Sequence, residues 1–137
     1  RRAAPQAAQV TSSVTGATYD TGMLIALERK KRRALAIHER LFELAAPITV
    51  PWAVVVEFWR GRTDRREAIL RSVDVEAPTM ALARRAGEAL AAVEGATIID
   101  AVVMASAAAR GDVVYTSDVD DLTLLQRRFP SVRVLSV

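Results

Sequence analysis

The sequence predicts an α/β domain built on a parallel sheet. Short runs rich in Val, Ile and Tyr alternate with helical stretches of ten or more residues, the spacing that crossover connections between parallel strands need. Apolar residues make up 51% of the chain but aromatics only 5%, the composition of an Ala/Val/Leu core in which helices lie on strands. At 137 residues the chain makes one domain, large enough to bury such a core.

Taken in order, residues 1 to about 13 (RRAAPQAAQVTSS) lack the apolar run of a signal peptide and are expected to be a tail outside the fold, which then occupies 14–137. Ala17-Thr18-Tyr19 forms the first strand and ends at Asp20. Thr21-Gly22 makes a turn into the helix MLIALE. The basic run Arg29-Lys30-Lys31-Arg32-Arg33 either stays in a loop or opens a second helix, Ala34 to Leu44, anchored by Leu35, Leu41 and Phe42. Pro47 to Val50 is the second strand, and Pro51 at the first helical position launches WAVVVEFWRG, stopped by Gly61. Thr63 and Asp64 cap a helix through Leu70, Val73 to Glu76 is a third strand, and Pro78 opens a long helix from Thr79 to Val93. Thr97 is an N-cap and Gly111 a C-terminal stop for the next helix. Val and Tyr then mark a strand from Asp112 to Tyr115, followed by a helix from Val119 to Arg128 and a final strand from Arg133 to Ser136.

Several function classes fall away on composition. There is no cysteine, hence no disulfide framework and no thiolate metal site, which suits a reducing, cytoplasmic compartment. No apolar run approaches the roughly 20 residues of a membrane span. The net charge of +3 is carried by 17 Arg and two Lys and is concentrated in two clusters, Arg29 to Arg33 and Arg60, Arg62, Arg65, Arg66. Such runs are either solvated faces or surfaces that track phosphates.

The acidic residues are the more specific signal. Asp100 shares a helix face with Val103, Met104 and Ala107. A carboxylate there is costly to desolvate unless a cation or hydrogen-bond donor meets it. Asp20 lies at the carboxyl end of the first strand and Asp118 beyond that of the fourth, the sheet edge where open α/β folds bind ligands. Glu57, with Ala53 and Val54 a turn before it, also leans to an apolar side. Two ionised carboxylates about 4 Å apart repel by roughly 4 kcal/mol at an effective dielectric of 20. Four together therefore need protons or hard cations between them. Oxygen-only donors, with His38 distant, point to Mg2+ or Mn2+.

The set DTG at 20–22, VVVEFWRG at 54–61, IIDAVVMASAAARG at 98–111 and VVYTSDVDDL at 113–122 resembles the PIN domain, more narrowly the VapC-type toxin ribonucleases of bacterial toxin–antitoxin pairs. The resemblance runs from about Thr15 to Val137. It implies a three-layer α/β/α fold with a parallel sheet of about five strands, and metal-binding acids at Asp20, Glu57, Asp100 and Asp118. Asp121 is then an auxiliary acid, ahead of Asp120. The family commonly has Ser two residues after the first Asp; here Gly22 stands there, with Thr21 or Ser117 as substitute donors. The implied activity is Mg2+-dependent hydrolysis of RNA phosphodiesters, with Arg29, Lys30, Lys31, Arg32, Arg33, Arg60 and Arg62 on the RNA backbone. The implied partners are an inhibitory antitoxin and a second copy of the chain. Leu24, Ile25, Trp52, Phe58 and Trp59 are candidate anchors for the antitoxin.

Competing readings explain less. DTG also marks aspartic proteases, but those use two copies in β-rich folds. Receiver and haloacid-dehalogenase-like domains want a lysine near the end of strand four or five, and both lysines stand at 30 and 31. A non-catalytic nucleic-acid-binding domain accounts for the arginines but not for Asp100, and a related nuclease of RNA processing would work without an antitoxin. His38 reads as a surface residue, and Trp52 and Trp59 as packing.

Overall fold

Ala17, Thr18 and Tyr19 are fully buried and paired on both sides, so this three-residue strand β1 (Ala17–Tyr19) is the axis of the sheet. The computed structural model describes residues 14–137; the expected tail, 1–13, lies outside the described residues. Around β1 stand β2 (Ile48–Pro51), β3 (Asp74–Glu76), β4 (Val113–Thr116) and β5 (Arg133–Ser136), all parallel, in the order β3-β2-β1-β4-β5. The chain moves outward through β2 and β3, then returns to the other side of β1. That reversal puts a topological switch point between β1 and β4.

The helices are α1 (Thr21–Glu28), α2 (Arg32–Glu43), α3 (Trp52–Phe58), α4 (Asp64–Arg71), α5 (Met80–Ala92), α6 (Ile98–Arg110) and α7 (Val119–Thr123). Side chains alternate across β1. Thr18 accepts from Arg110 of α6 on one face, whereas Tyr19 meets His38 of α2 on the opposite face. The result is three layers, α/β/α, with α5 packed along α6. The core is aliphatic: Met23, Leu24 and Leu27 from α1, Val54 from α3, Val103 and Met104 from α6, and Val50 and Val114 from the sheet. Among the described residues no helix is long and apolar enough to cross a membrane.

Local rules account for most boundaries. Thr63, Thr79 and Thr97 each accept a hydrogen bond from the backbone N–H three residues on. Gly111 ends α6 in the left-handed region, with φ of 73°. Several expectations need correction. Thr21 and Gly22 form the first turn of α1, because Asp20 caps that helix. Arg32 and Arg33 open α2, and of its expected anchors only Leu41 is buried, with Leu35 39% and Phe42 73% exposed. The real inward residues are Ala34 and Leu41, flanked by Ile37, which share one stripe at period 3.6; Leu35 and Phe42 lie on the adjacent, exposed stripe. Pro51 closes β2 and caps α3, which ends at Phe58, before Gly61. The last helix is regular only to Thr123 and continues as turns that bury Leu125 and Phe129.

Candidate active-site cleft

The carboxylates gather where the sheet reverses. An open cleft of about 470 Å³ is lined by Asp20, Glu57, Asp100, Asp118 and Asp121, together with Thr21, Gly22, Thr97 and Ser117. Each acid arrives on a different support. Asp20 follows β1 and caps α1, its Oδ1 accepting from the Met23 N–H at 3.0 Å. Glu57 stands one residue from the end of α3 and accepts from the Thr21 hydroxyl. Asp100 is in the first turn of α6, its N–H bonded to Thr97 Oγ1 at 3.2 Å. Asp118 and Asp121 sit at the start of α7 beyond β4, and Asp118 has the capping position without making a side-chain cap, which leaves its carboxylate to the cleft. Asp120 is not among the lining residues.

Thr116, which sequence reading passed over, joins the two sides of the switch point. Its hydroxyl donates to Asp20 Oδ2 and accepts from the Asp118 N–H at 2.9 Å. It is fully buried at the end of β4. The readable signal is a hydroxyl residue closing a strand two positions before an acid.

The acids feel one another. Burial pushes the Asp20 carboxyl up to about 6, opposed by its bonds to Thr116 and Met23 and reinforced by the charges of Asp100 and Glu57. Burial also raises Asp100, opposed by Thr97 and reinforced by Asp121, Glu57 and Asp118. Asp121 is raised by its contact with Asp118. Among the described residues no three His, Asp or Glu converge closely enough to form a preassembled metal cage. Thr21 and Thr116 each engage a carboxylate oxygen, on Glu57 and Asp20. The donor set remains all oxygen and rich in charge, which fits a hard divalent cation.

The raised Asp20 has a consequence for stability. A carboxyl that ionises near 6 when folded and near 3.8 when unfolded opposes folding fully above pH 6, by roughly 3 kcal/mol, and the penalty is relieved as pH falls from 6 towards 3.8. His38 acts with the opposite sign below 6.5, because burial favours its neutral form. The expected result is that metal-free protein gains several degrees in melting temperature between pH 7.5 and 5.5 relative to Asp20→Asn. Parallel pH profiles for the two proteins would remove this account of Asp20.

The basic residues divide. Arg29 and Arg60 line the cleft, whereas Lys30, Lys31, Arg32, Arg33 and Arg62 are not among its lining residues. Arg33 donates to the Ser136 carbonyl at 3.0 Å, and Arg62 pairs with Glu67 at 3.3 Å. In the second cluster, Arg65 caps the end of α1 through the carbonyls of Leu27 and Glu28, at 2.9 and 3.0 Å. Arg66 lies over the Phe58 ring and pairs with Glu28 at 2.7 Å, and both partners border the cleft. Glu28 and Arg66 are thus cleft residues that a charge-run reading hides. His38 is half-buried rather than on the surface, bonded to the Tyr19 hydroxyl at 2.8 Å and to Ser72 at 3.3 Å. Of the expected partner anchors, Leu24 and Phe58 belong to the core, Ile25 lines the cleft, and Trp52 is 37% exposed.

The same architecture occurs in solved toxin–antitoxin assemblies. A chain of VapBC2 from Rickettsia felis, bound to a DNA fragment from its promoter, superposes with a TM-score of 0.72 at 12% identity, over 88% of this chain and 98% of that one. The chain has a PIN-like fold. A toxin–antitoxin complex from Klebsiella pneumoniae gives a TM-score of 0.66 at 20% identity, covering 85% and 95%, and PAE2754 from Pyrobaculum aerophilum gives 0.55 at 19%, covering 88% and 91%. No family model and no curated protein matches the sequence. At these identities the likeness establishes the fold, and the PIN-like core is what the chain shares with its neighbours.

Proposed function

We propose that the chain is a metal-dependent endoribonuclease acting as the toxin of a toxin–antitoxin pair. The observation that carries this reading is the single cleft at the β1/β4 switch point, to which four separate segments bring Asp20, Glu57, Asp100, and Asp118 with Asp121. Its toxin role is supported by the two neighbours that are toxin–antitoxin assemblies.

Mg2+ or Mn2+, held by Asp20, Asp100 and Asp118 with Glu57 and Asp121 beside them, would supply a Lewis acid that lowers the pKa of a bound water. The chain's own residues do the rest. Thr116 fixes Asp20 and favours its ionised form against burial, and Thr97 fixes the first turn of α6 by accepting from the Asp100 N–H. Arg29 and Arg60, at the cleft border, hold phosphates of the RNA backbone without reading sequence. Lys30, Lys31, Arg32, Arg33 and Arg62 extend that field over the outer surface. A binding module without chemistry is the weaker reading, because an acid-floored cleft repels a polyanion unless cations intervene.

An antitoxin would cover the cleft with an Arg or Lys reaching the carboxylates, and Ile25 and Ile99 provide apolar contact for it. A homodimer is part of the same proposal. The deciding experiment is to map new 5′ ends in cellular RNA after induced expression, then to co-purify the protein encoded next door and repeat the cleavage assay with it. New ends that require Mg2+ and vanish with the neighbour are expected. No new ends removes the nuclease; undiminished cleavage with the neighbour bound removes the inhibitory partner alone.

A further inference from the structure

Gly22 is pressed against Ser117. A Cβ added at Gly22 would stand 2.2 Å from Ser117 Oγ, 3.0 Å from its backbone nitrogen and 3.2 Å from its Cβ. Gly22 is not among the positive-φ glycines, so the requirement is contact rather than backbone conformation. Thr21, Thr116 and Ser117 bring three hydroxyls to this sheet edge. That of Thr21 donates to Glu57 and that of Thr116 to Asp20. Ser117 is exposed, and it borders the cleft between Gly22 and Asp118.

We propose that Ser117 Oγ is the cleft's phosphate-holding hydroxyl, and that residues 22 and 117 are an exclusive pair in which only one side carries it. This rests on the nuclease reading and assigns a substrate contact within it. The hydroxyl donates its proton to a nonbridging oxygen of the scissile phosphodiester. A neutral donor suits this position: a cation there would be drawn onto the carboxylates, whereas a hydroxyl orients the phosphate and leaves the acids free. Gly22 is the complement, because any Cβ at 22 takes the volume that Ser117 occupies.

The test uses the full chain, a single-stranded RNA oligonucleotide, and three variants: Ser117→Ala, Gly22→Ser and Gly22→Ser with Ser117→Gly. A lost hydrogen bond to a charged oxygen predicts that Ser117→Ala lowers kcat/KM by about tenfold to a hundredfold at an unchanged melting temperature. Gly22→Ser alone should lose more, through the clash. The double variant, which moves the hydroxyl to the other side of the contact, should recover to within about tenfold of the parent and exceed both single variants. Full kcat/KM in Ser117→Ala overturns the proposal, as does a double variant no better than the poorer single one. RNA affinity in EDTA at low salt separates the two readings. If the parent chain cleaves nothing, the nuclease reading falls, and equal affinity of parent and Ser117→Ala then removes the Ser117 contact as well.

Discussion

Asp100→Asn should lower Mg2+-dependent RNA cleavage by a factor on the order of 10²–10³ while leaving the metal-free protein as stable as its parent, or more so. The loss is that expected when an acid that would hold the metal is neutralised, and the charge stabilisation the metal would supply goes with it. The stability side follows from the environment of Asp100. Its ionised form is disfavoured first by burial and then by Asp121, Glu57 and Asp118, and only the Thr97 bond counters them. Asparagine keeps the shape, keeps its own N–H on Thr97 Oγ1, and removes the repulsion. An acid retained for structure would show the reverse, losing stability when neutralised. Asp118→Asn should behave likewise, since Asp118 makes no side-chain cap that its loss would cost. Asp120→Asn is the control, because Asp120 lies outside the cleft lining. Cleavage assays at equal purity, paired with thermal melts, read both halves. Full activity in Asp100→Asn would sink the metal-site assignment whatever the melts show.

The acids were legible because their supports follow local rules. Asp20 directly follows a strand and Asp118 stands two residues beyond one, and the alternation of strands and helices requires strand ends to share an edge. Asp100 stood out because it breaks an apolar face inside a well-capped helix. Hidden features depended on three-dimensional partners. Thr116 acts through Asp20, 96 positions away, and Arg66 through Glu28, 38 away. A basic cluster in sequence gives no sign of which guanidinium meets a carboxylate and which meets solvent. Phe42 and Leu35 read as anchors because they are large, apolar and seven apart, and the sequence does not say that the neighbouring stripe of Ala34, Ile37 and Leu41 is the one facing inward. The last helix read too long because Leu125 and Phe129 are buried from turns as readily as from a helix.

Arg110 is the clearest case of such a partner-dependent residue, and it carries the largest expected effect on stability. Its guanidinium donates to Asp112 Oδ2 at 2.9 Å, Thr18 Oγ1 at 2.8 Å and Ser106 Oγ at 2.7 Å, and it pairs with Glu76. Ser106 also donates to Glu76 at 2.6 Å, and Thr18 to Asp112 at 2.8 Å. One side chain therefore ties the end of α6 to the central strand, to the edge strand β3 and to the turn into β4. Only Ser106 and Asp112 are local to it in sequence. Removing the cation leaves the Asp112 side chain, 5% exposed, without its charge partner. Breaking such a buried pair costs about 3–5 kcal/mol. The Arg110 side chain is 27% exposed, so water recovers part of that. Arg110→Ala should then cost about 2–4 kcal/mol and lower the melting temperature by roughly 10 °C. Arg110→Lys should recover little, because a single ammonium cannot serve four acceptors in the plane of a fork. The ten residues from Asp100 to Arg110 span about 15 Å of helix, so RNA binding per folded molecule should be unchanged. Denaturant titration measures the first expectation and active-site-normalised binding the second. A loss below about 1 kcal/mol would mean that the network is held by packing around it rather than by Arg110.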